Sequence, residues 1–306
     1  MTAVHDSLFI TGATGFIGRH LLSRVDAARY THVYCLSRTP NPVPGLAPDQ
    51  RNVSWLTGSL EDVDAYARAL ESCGTVIHLA ATTGKAAPEA YFRVNAHGTQ
   101  LLLDRCAKAG VENFLYVSSI VAKFPDKRRY YYAQSKEAAE AAVRRSGLSY
   151  VIARPTIVMG DGNPTWTRFS RAATAPVALI LGNGRAAIQP IYVGDLVECL
   201  LSLLEKTPFA NETLELGGPE RMSIRELFRQ IHQVRRGRDP WLIHVPLTPV
   251  IALLSLLERP LYPVLPVTAG QLASFHQHGT ADHNRIVDEH APRMKRVRDM
   301  LRVLGR

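Results

Sequence analysis

Short runs of consecutive apolar residues alternate along this chain with longer stretches whose apolar positions recur every three or four residues. The first run, Leu8-Phe9-Ile10, passes through Thr11-Gly12-Ala13-Thr14-Gly15-Phe16-Ile17-Gly18 into the amphipathic Arg19–Val25. Uninterrupted apolar runs bounded by turn residues predict strands buried on both faces, and three-to-four spacing predicts helices. Further strands are expected at Thr31–Arg38, Val53–Leu60, Thr75–Ala81, Phe114–Val117 and Tyr150–Ala153. Helices are expected to start near Asp62 or Asp64, to run from about Ala90 to Ala109, and to follow Tyr130–Lys136 through Glu137–Val143. Asn41–Pro48 reads as a proline-rich surface loop. Strand and helix in strict alternation predict an α/β protein with a doubly wound parallel sheet and right-handed crossovers.

The 306 residues suffice for one large or two unequal domains, and 46% hydrophobic with 21% charged residues is the composition of a soluble globular protein. Four cysteines, Cys35, Cys73, Cys106 and Cys199, have no paired spacing, which argues against a disulfide framework or a zinc site and fits a reducing cytoplasm. Asp6 interrupts a start without a basic flank, so no secretory leader is expected. Much of the net charge of +9 gathers in Arg293, Lys295, Arg296, Arg298, Arg302 and Arg306, interleaved with Met294, Val297, Leu301 and Leu304 at helical spacing. This predicts an amphipathic closing helix that either packs on its own domain or makes peripheral contact with anionic lipid or another protein. No aromatic residues are interleaved with these charges, so nucleic acid is not an expected partner. His276, His278, His283 and His290 are near in sequence, but nothing sets them on one face with a carboxylate, and no metal site is expected.

Three glycines between a strand and a helix have a specific chemistry. Gly12 permits the bend, Gly15 lets backbone amides approach a phosphate, and Gly18 lets helix and strand pack closely. At the end of the second strand, where an acidic residue would select the ribose of NAD, the chain has Ser37 and Arg38. A hydroxyl beside a guanidinium suits a 2′-phosphate and points to NADP, NAD being less expected; Arg38 as a solvated loop residue stays open. The fourth strand ends in Leu79, Ala80 and Ala81, small enough to let backbone approach a flat ring. Tyr132 and Lys136 lie four apart and share a helix face. A tyrosine has an ordinary pKa of about 10, and a neighbouring ammonium moves it toward the working range of a general acid and base. A serine at the preceding strand end would polarise a substrate carbonyl.

The ordered set Thr11–Gly18, His78-Leu79-Ala80-Ala81, Val94-Asn95-Ala96-His97-Gly98-Thr99, Val117-Ser118-Ser119, Tyr132 with Lys136, and Arg154-Pro155 resembles the extended short-chain dehydrogenase/reductase family, the NAD-dependent epimerase/dehydratase group, over residues from about 8 to 220. The resemblance implies a Rossmann-type sheet with a smaller C-terminal substrate-binding lobe. The cofactor domain would comprise 1–160 with about 186–216, and the lobe about 161–185 and 217–306. It implies a catalytic set of Ser119, Tyr132 and Lys136, with Ser118 the fallback serine; by register only Tyr132, not Tyr130 or Tyr131, has a lysine four residues on. It assigns to the cofactor Gly12, Thr14, Gly15, Phe16, Ile17 and Gly18, then Ser37, Arg38, Leu79, Ala80, Ala81, Asn95 and Val117. Tyr132 and Lys136 join them, with Pro155, Ile157 and Val158 beyond the sixth strand. Two departures stand out. Ser59 replaces the usual adenine-binding Asp, leaving adenine to Leu60 and backbone, and Ile188 replaces the arginine that holds sugar-nucleotide phosphates, with Arg185 the nearby substitute. A buried diphosphate without its cation would be costly, which counts against sugar nucleotides.

Gln189–Leu196 and Leu214–Ser223 resemble a narrower branch that includes the NADPH-binding accessory subunit of respiratory complex I. In that subunit the Tyr and Lys are not both kept; here both are, which favours an active enzyme. Ser223 is expected to cap a helix, with Glu226 completing a capping box. Trp241–Val267, broken by Pro246, Pro249, Pro260, Pro263 and Pro266, is too interrupted to span a bilayer. It reads as a cleft wall, a short helix Pro249–Leu257 plus an extended segment, or as plain core between two lobes. Together these features imply an NADP(H)-dependent oxidoreductase acting on a carbonyl or secondary alcohol of an apolar small molecule. The alternatives are an epimerase or dehydratase that retains NAD(P), and a non-catalytic NADPH-binding accessory or assembly factor at a membrane complex. The resemblance further implies a homodimer through the helices containing Tyr132 and Asn95.

Overall fold

The computed structural model describes residues 6–40, 52–261, 265 and 268–304. The expected Asn41–Pro48 loop lies outside them, as do Pro263, Pro266 and Arg306. By its contacts the chain divides into two units: Met1–Ser119, Ser135–Arg154 and Val197–Leu214 form the first, and Ile120–Gln134, Pro155–Leu196 and Glu215–Arg306 the second. Residues 120–134 and 155–196, most of them expected with the cofactor domain, thus group with the C-terminal residues.

The first unit is built on strands β1 (Ser7–Thr11), β2 (Val33–Ser37), β3 (Val53–Thr57), β4 (Cys73–His78), β5 (Asn113–Val117) and β6 (Ser149–Pro155). They pair in parallel, and with the edge strand Glu212–Leu216 the order is Glu212–Leu216, β6, β5, β4, β1, β2, β3. All five residues of β1 and of β5 are buried, which is why their sequences run apolar rather than alternating. Phe9, Val76, Phe114 and Ile152 from the strands pack with Leu102, Leu103 and Cys106 from the helix Gly98–Ala109 and Ala139, Ala142 and Val143 from the helix Tyr131–Arg145. Chain order reverses between β1 and β4. In doubly wound sheets this switch point opens a crevice at the carboxyl ends of the strands.

The expected single helix from Ala90 to Ala109 is a succession of three pieces: Pro88–Tyr91, a widened π turn over Phe92–His97, and Gly98–Ala109. Such π insertions shift side-chain register and frequently mark functional positions. Here the widened turn contains Asn95, 1% exposed.

The second unit has its own core, in which Trp166, Ile180, Leu227, Phe228, Ile231, Val297, Met300 and Leu301 pack together. Asn163 caps the helix Pro164–Thr174. Ser223 caps Ile224–Arg236 by accepting from the Glu226 amide, forming the serine half of the expected box, and Gly237 closes that helix at φ +69°. A reciprocal capping box, which the sequence reading missed, joins Thr268 and Gln271 at Ala269–Ala273. The closing helix Val297–Val303 buries Val297, Met300 and Leu301, and leaves Arg293, Arg296, Arg298 and Arg302 exposed around it. Two acids anchor its entry: Asp195 accepts from the Lys295 amide at 2.7 Å and Glu220 from the Val297 amide at 2.7 Å. Val297, Met300 and Leu301 are therefore core, and Val303 and the arginines around the helix stay exposed.

Trp241–Val245 forms a strand parallel to Val177–Leu181, and Leu247–Leu261 a helix longer than the expected Pro249–Leu257. Pro249 falls in its first turn, where a missing N–H costs nothing. The reading of this stretch as plain core fails for Trp241, Ile243, Leu253 and Leu256, which are all exposed.

Candidate active site

The switch point is where the glycine turn meets the end of β4. Gly12 has φ +72°, and a Cβ there would lie 2.6 Å from the Ala80 amide nitrogen. A Cβ on Gly18 would fall on the Gly12 carbonyl oxygen, so the helix Phe16–Leu22 can approach β1 only without a side chain at that place. The Gly15 amide bonds the Gly12 carbonyl at 2.9 Å, and no side chain caps the helix that Gly15 opens. This is a cradle that a Cβ would fill, with uncapped amides at a helix start, and it fits a dinucleotide phosphate. Thr14, Phe16 and Ile17 lie in or just after this turn, on the first unit.

Beneath the cradle runs a buried polar chain that ties β1, β4 and the widened helix together. Its proton order follows from its partners. The Thr99 hydroxyl donates to the Asn95 carbonyl at 2.6 Å, so it accepts from His78 Nε2–H at 2.9 Å. His78 Nδ1 is then the acceptor for the Thr11 hydroxyl at 2.6 Å, and Thr11 Oγ1 accepts the Ala80 amide at 3.2 Å. The ring is therefore the neutral Nε2–H tautomer. Burial, with the charge of Lys136, holds its pKa down at about 3. The Asn95 side chain extends the chain: its Oδ1 accepts from the Thr82 backbone amide at 2.7 Å, and its Nδ2 donates to the Thr82 backbone carbonyl and, at 3.0 Å, to Ser135 Oγ.

Ser135 stands beside Lys136 on the helix Tyr131–Arg145, where Tyr132, Lys136, Glu140 and Arg144 form one stripe at four-residue spacing. Lys136 is 2% exposed, and its ammonium donates to the Val117 carbonyl at 2.9 Å and the Tyr116 hydroxyl at 3.2 Å, lying 4.7 Å over the Tyr116 ring. Burial lowers its pKa to about 7 against the opposing pull of Glu140. One turn on, the buried Glu140 takes both Arg154 nitrogens, at 2.8 and 2.6 Å, together with Arg144 at 2.8 Å and the Ser118 hydroxyl at 2.7 Å. These donors hold the Glu140 carboxyl below its usual range although burial opposes them. Ser118 is thus committed to Glu140 inside the first unit, and Ser119 follows it beyond the carboxyl end of β5.

Other expected cofactor residues sit where their strands end. Ser37 is buried, and its hydroxyl accepts the Thr39 amide at 3.2 Å, serving the turn, while Arg38 is exposed. The Ser59 hydroxyl accepts the Glu61 amide at 3.2 Å. Leu60 is buried against Gly98, where a Cβ would meet its side chain at 3.1 Å. Leu79, Ala80 and Ala81 follow β4 directly. Tyr132, Pro155, Ile157 and Val158 group with the second unit, and the Tyr130 and Tyr132 rings lie 6.2 Å apart. Ile188 pairs with Met222 and packs on that unit's core, and Arg185 is exposed. Sequence reasoning singled out neither Thr11, Tyr116 nor Glu140, and used His78 and Thr99 only as motif letters. A signal existed for each: hydroxyl and imidazole groups in otherwise apolar buried runs, and a glutamate one turn past the lysine. Among the described residues no group of three or more His, Cys, Asp or Glu side chains could hold a metal.

Residues 8–217 match the model of the NAD dependent epimerase/dehydratase family. The chain is 31% identical over 242 residues to a ceramide reductase of Caulobacter vibrioides, covering 78% of this chain and 73% of that protein. It is 26% identical over 219 residues to a 3 beta-hydroxysteroid dehydrogenase/Delta 5→4-isomerase of Mycobacterium tuberculosis, covering 62% of this chain and 58% of the relative. The crystal structure of gox2253 superposes with a TM-score of 0.74 at 24% identity, covering 97% of this chain and 96% of that one, and speaks for the fold alone. The chain belongs to the NAD-dependent epimerase/dehydratase family of extended short-chain dehydrogenases/reductases and is an NAD(P)-dependent oxidoreductase.

Proposed function

We propose that this oxidoreductase uses NADP(H) and interconverts a carbonyl and a secondary alcohol on an apolar, lipid-like small molecule. The observation that carries the chemistry is the buried Lys136, one helical turn after Tyr132, its ammonium fixed by the Val117 carbonyl and the Tyr116 hydroxyl. When bound, the nicotinamide supplies or takes the hydride. In the reducing direction the substrate oxygen must gain a proton, and the Tyr132 phenol is the donor. The charge of Lys136 stabilises the phenolate left behind. The commitment of Ser118 to Glu140 supports Ser119 as the hydroxyl that polarises the carbonyl. Thr11, His78, Thr99 and Asn95 hold the cradle and the catalytic helix in register.

The choice of substrate class rests on two supports. The relatives' names describe activities on a ceramide and on a hydroxysteroid. The position expected to hold sugar-nucleotide phosphates is an isoleucine on a core. The exposed Arg38, flanked in sequence by Ser37 and Thr39 rather than an acidic residue, supports NADP.

Tyr132→Phe should lower turnover by about 10²- to 10⁴-fold while NADPH binding, followed by its fluorescence, is retained. Retained turnover would refute the assignment of Tyr132. NADPH should stabilise the protein against heat more than NADH, and Arg38→Glu should reverse that order. Equal stabilisation by the two cofactors would remove the NADP assignment and leave the chemistry standing.

A further inference from the structure

We infer that the outer face of the two-stranded sheet Val177–Leu181 and Trp241–Val245, with the adjoining helix Leu247–Leu261, rests on the surface of an anionic lipid bilayer. The strands pair in parallel with Trp241 opposite Val177 and Ile243 opposite Leu179, and the alternation of a sheet sends these four to one face. All four are exposed, Trp241 at 78%, whereas Ala178 and Ile180 between them are buried in the core below. Leu253 and Leu256, the latter 77% exposed, are likewise exposed on the helix that follows the second strand. Single exposed apolar residues need no explanation; a cluster built of a tryptophan and large aliphatic side chains does.

The charge around the face identifies the occupant. Each strand is fed by a helix, Pro164–Thr174 for the first and Ile224–Arg236 for the second. The bond from His232 Nδ1 to the Ala173 carbonyl, 2.9 Å, joins the C-terminal ends of those helices. Arg171, Arg236 and Arg238, all exposed, therefore gather where both strands begin, beside Val177 and Trp241. Asp239 is the one carboxylate in that stretch, and Gln233 holds it at 2.8 Å. An apolar face with a tryptophan and a cationic border complements the acyl and headgroup layers of an anionic bilayer. A second copy with the same cationic border and a net charge of +9 offers no such complement. No helix among the described residues is long and apolar enough to cross a membrane, so the contact lies along the surface. The inference rests on this face alone, independent of the substrate.

The test is co-sedimentation of the full chain with vesicles of phosphatidylcholine, or of phosphatidylcholine mixed with phosphatidylglycerol, with tryptophan emission recorded in parallel. Binding should favour the mixed vesicles, weaken with salt, and shift the emission to the blue. Trp241→Phe should sediment still but lose the blue shift. Trp241→Ser with Ile243→Ser should bind at least about tenfold more weakly, and Arg236→Glu with Arg238→Glu should abolish the preference for phosphatidylglycerol. All these positions are exposed, and an unchanged melting temperature checks the fold. No sedimentation, undiminished binding by the double serine variant, or a dimer in which Trp241 emission is already blue-shifted without vesicles would each overturn the inference.

Discussion

Ser118 and Ser119 are neighbours of the same type with different environments. Ser118 gives its hydroxyl to a carboxylate that is 1% exposed and already holds two arginines, so its removal subtracts one charge-assisted bond from a buried network. Ser118→Ala should therefore cost about 1–3 kcal/mol of stability and leave turnover within a few-fold. Ser119→Ala should instead lower turnover by about 10²- to 10³-fold, as removal of a polarising donor does. Denaturant melts and steady-state rates on both variants separate the two, and an exchange of phenotypes would move the catalytic assignment to Ser118. At this scale the sequence made the tyrosine–lysine pair legible, since a four-residue spacing fixes a shared helix face whatever the tertiary context. It did not make Glu140 legible. A glutamate among alanines reads as helix propensity, and only the arrival of Arg154 from β6 and Ser118 from just past β5 turns it into the anchor of the helix.

The glycine turn works as an element because helix and strand touch where Gly18 has no side chain. Gly18→Ala would place a methyl group on the Gly12 carbonyl, which has β1 on one side and Ala80 on the other and cannot yield cheaply. The expected result is a loss of about 1–3 kcal/mol together with loss of measurable NADPH binding; intact binding in Gly18→Ala would show that the turn is not the phosphate cradle. Strands such as β1 and β5 were readable because burial on both faces leaves an unbroken apolar run. The widened turn at Phe92–His97 was not, because a π insertion leaves the spacing of apolar positions almost unaltered while rotating Asn95 toward Thr82 and Ser135. The strand Trp241–Val245 was legible only as an extended segment, and its outward face was hidden for a related reason. Its exposed residues are as apolar as buried ones, so no hydrophobic pattern distinguishes an outer face from a core.

For the molecule as a whole, the buried basic groups set how stability depends on pH. Lys136 and His78 both have folded pKa values below their ordinary 10.5 and 6.5, so in each window the unfolded chain binds more protons and stability rises with pH. His78 acts between pH 6.5 and about 3, where acidification favours the unfolded state, and Lys136 between 10.5 and about 7. Buried Cys35 and Cys73, with pKa values pushed from 9.0 up to about 12, oppose this in alkali, because their unfolded thiols ionise first. The cofactor-free protein should therefore gain stability from pH 7 to about 8.5, with Lys136 contributing at most one proton, about 1.4 kcal/mol per pH unit, before the thiols reverse the slope. Lys136→Met should flatten that rise and leave the acid limb governed by His78 in place. Melting temperatures across pH at constant ionic strength read both limbs. An undiminished rise in Lys136→Met would mean that the lysine titrates near its ordinary value, and the account of how it stabilises the Tyr132 phenolate would then have to rest on a fully charged ammonium.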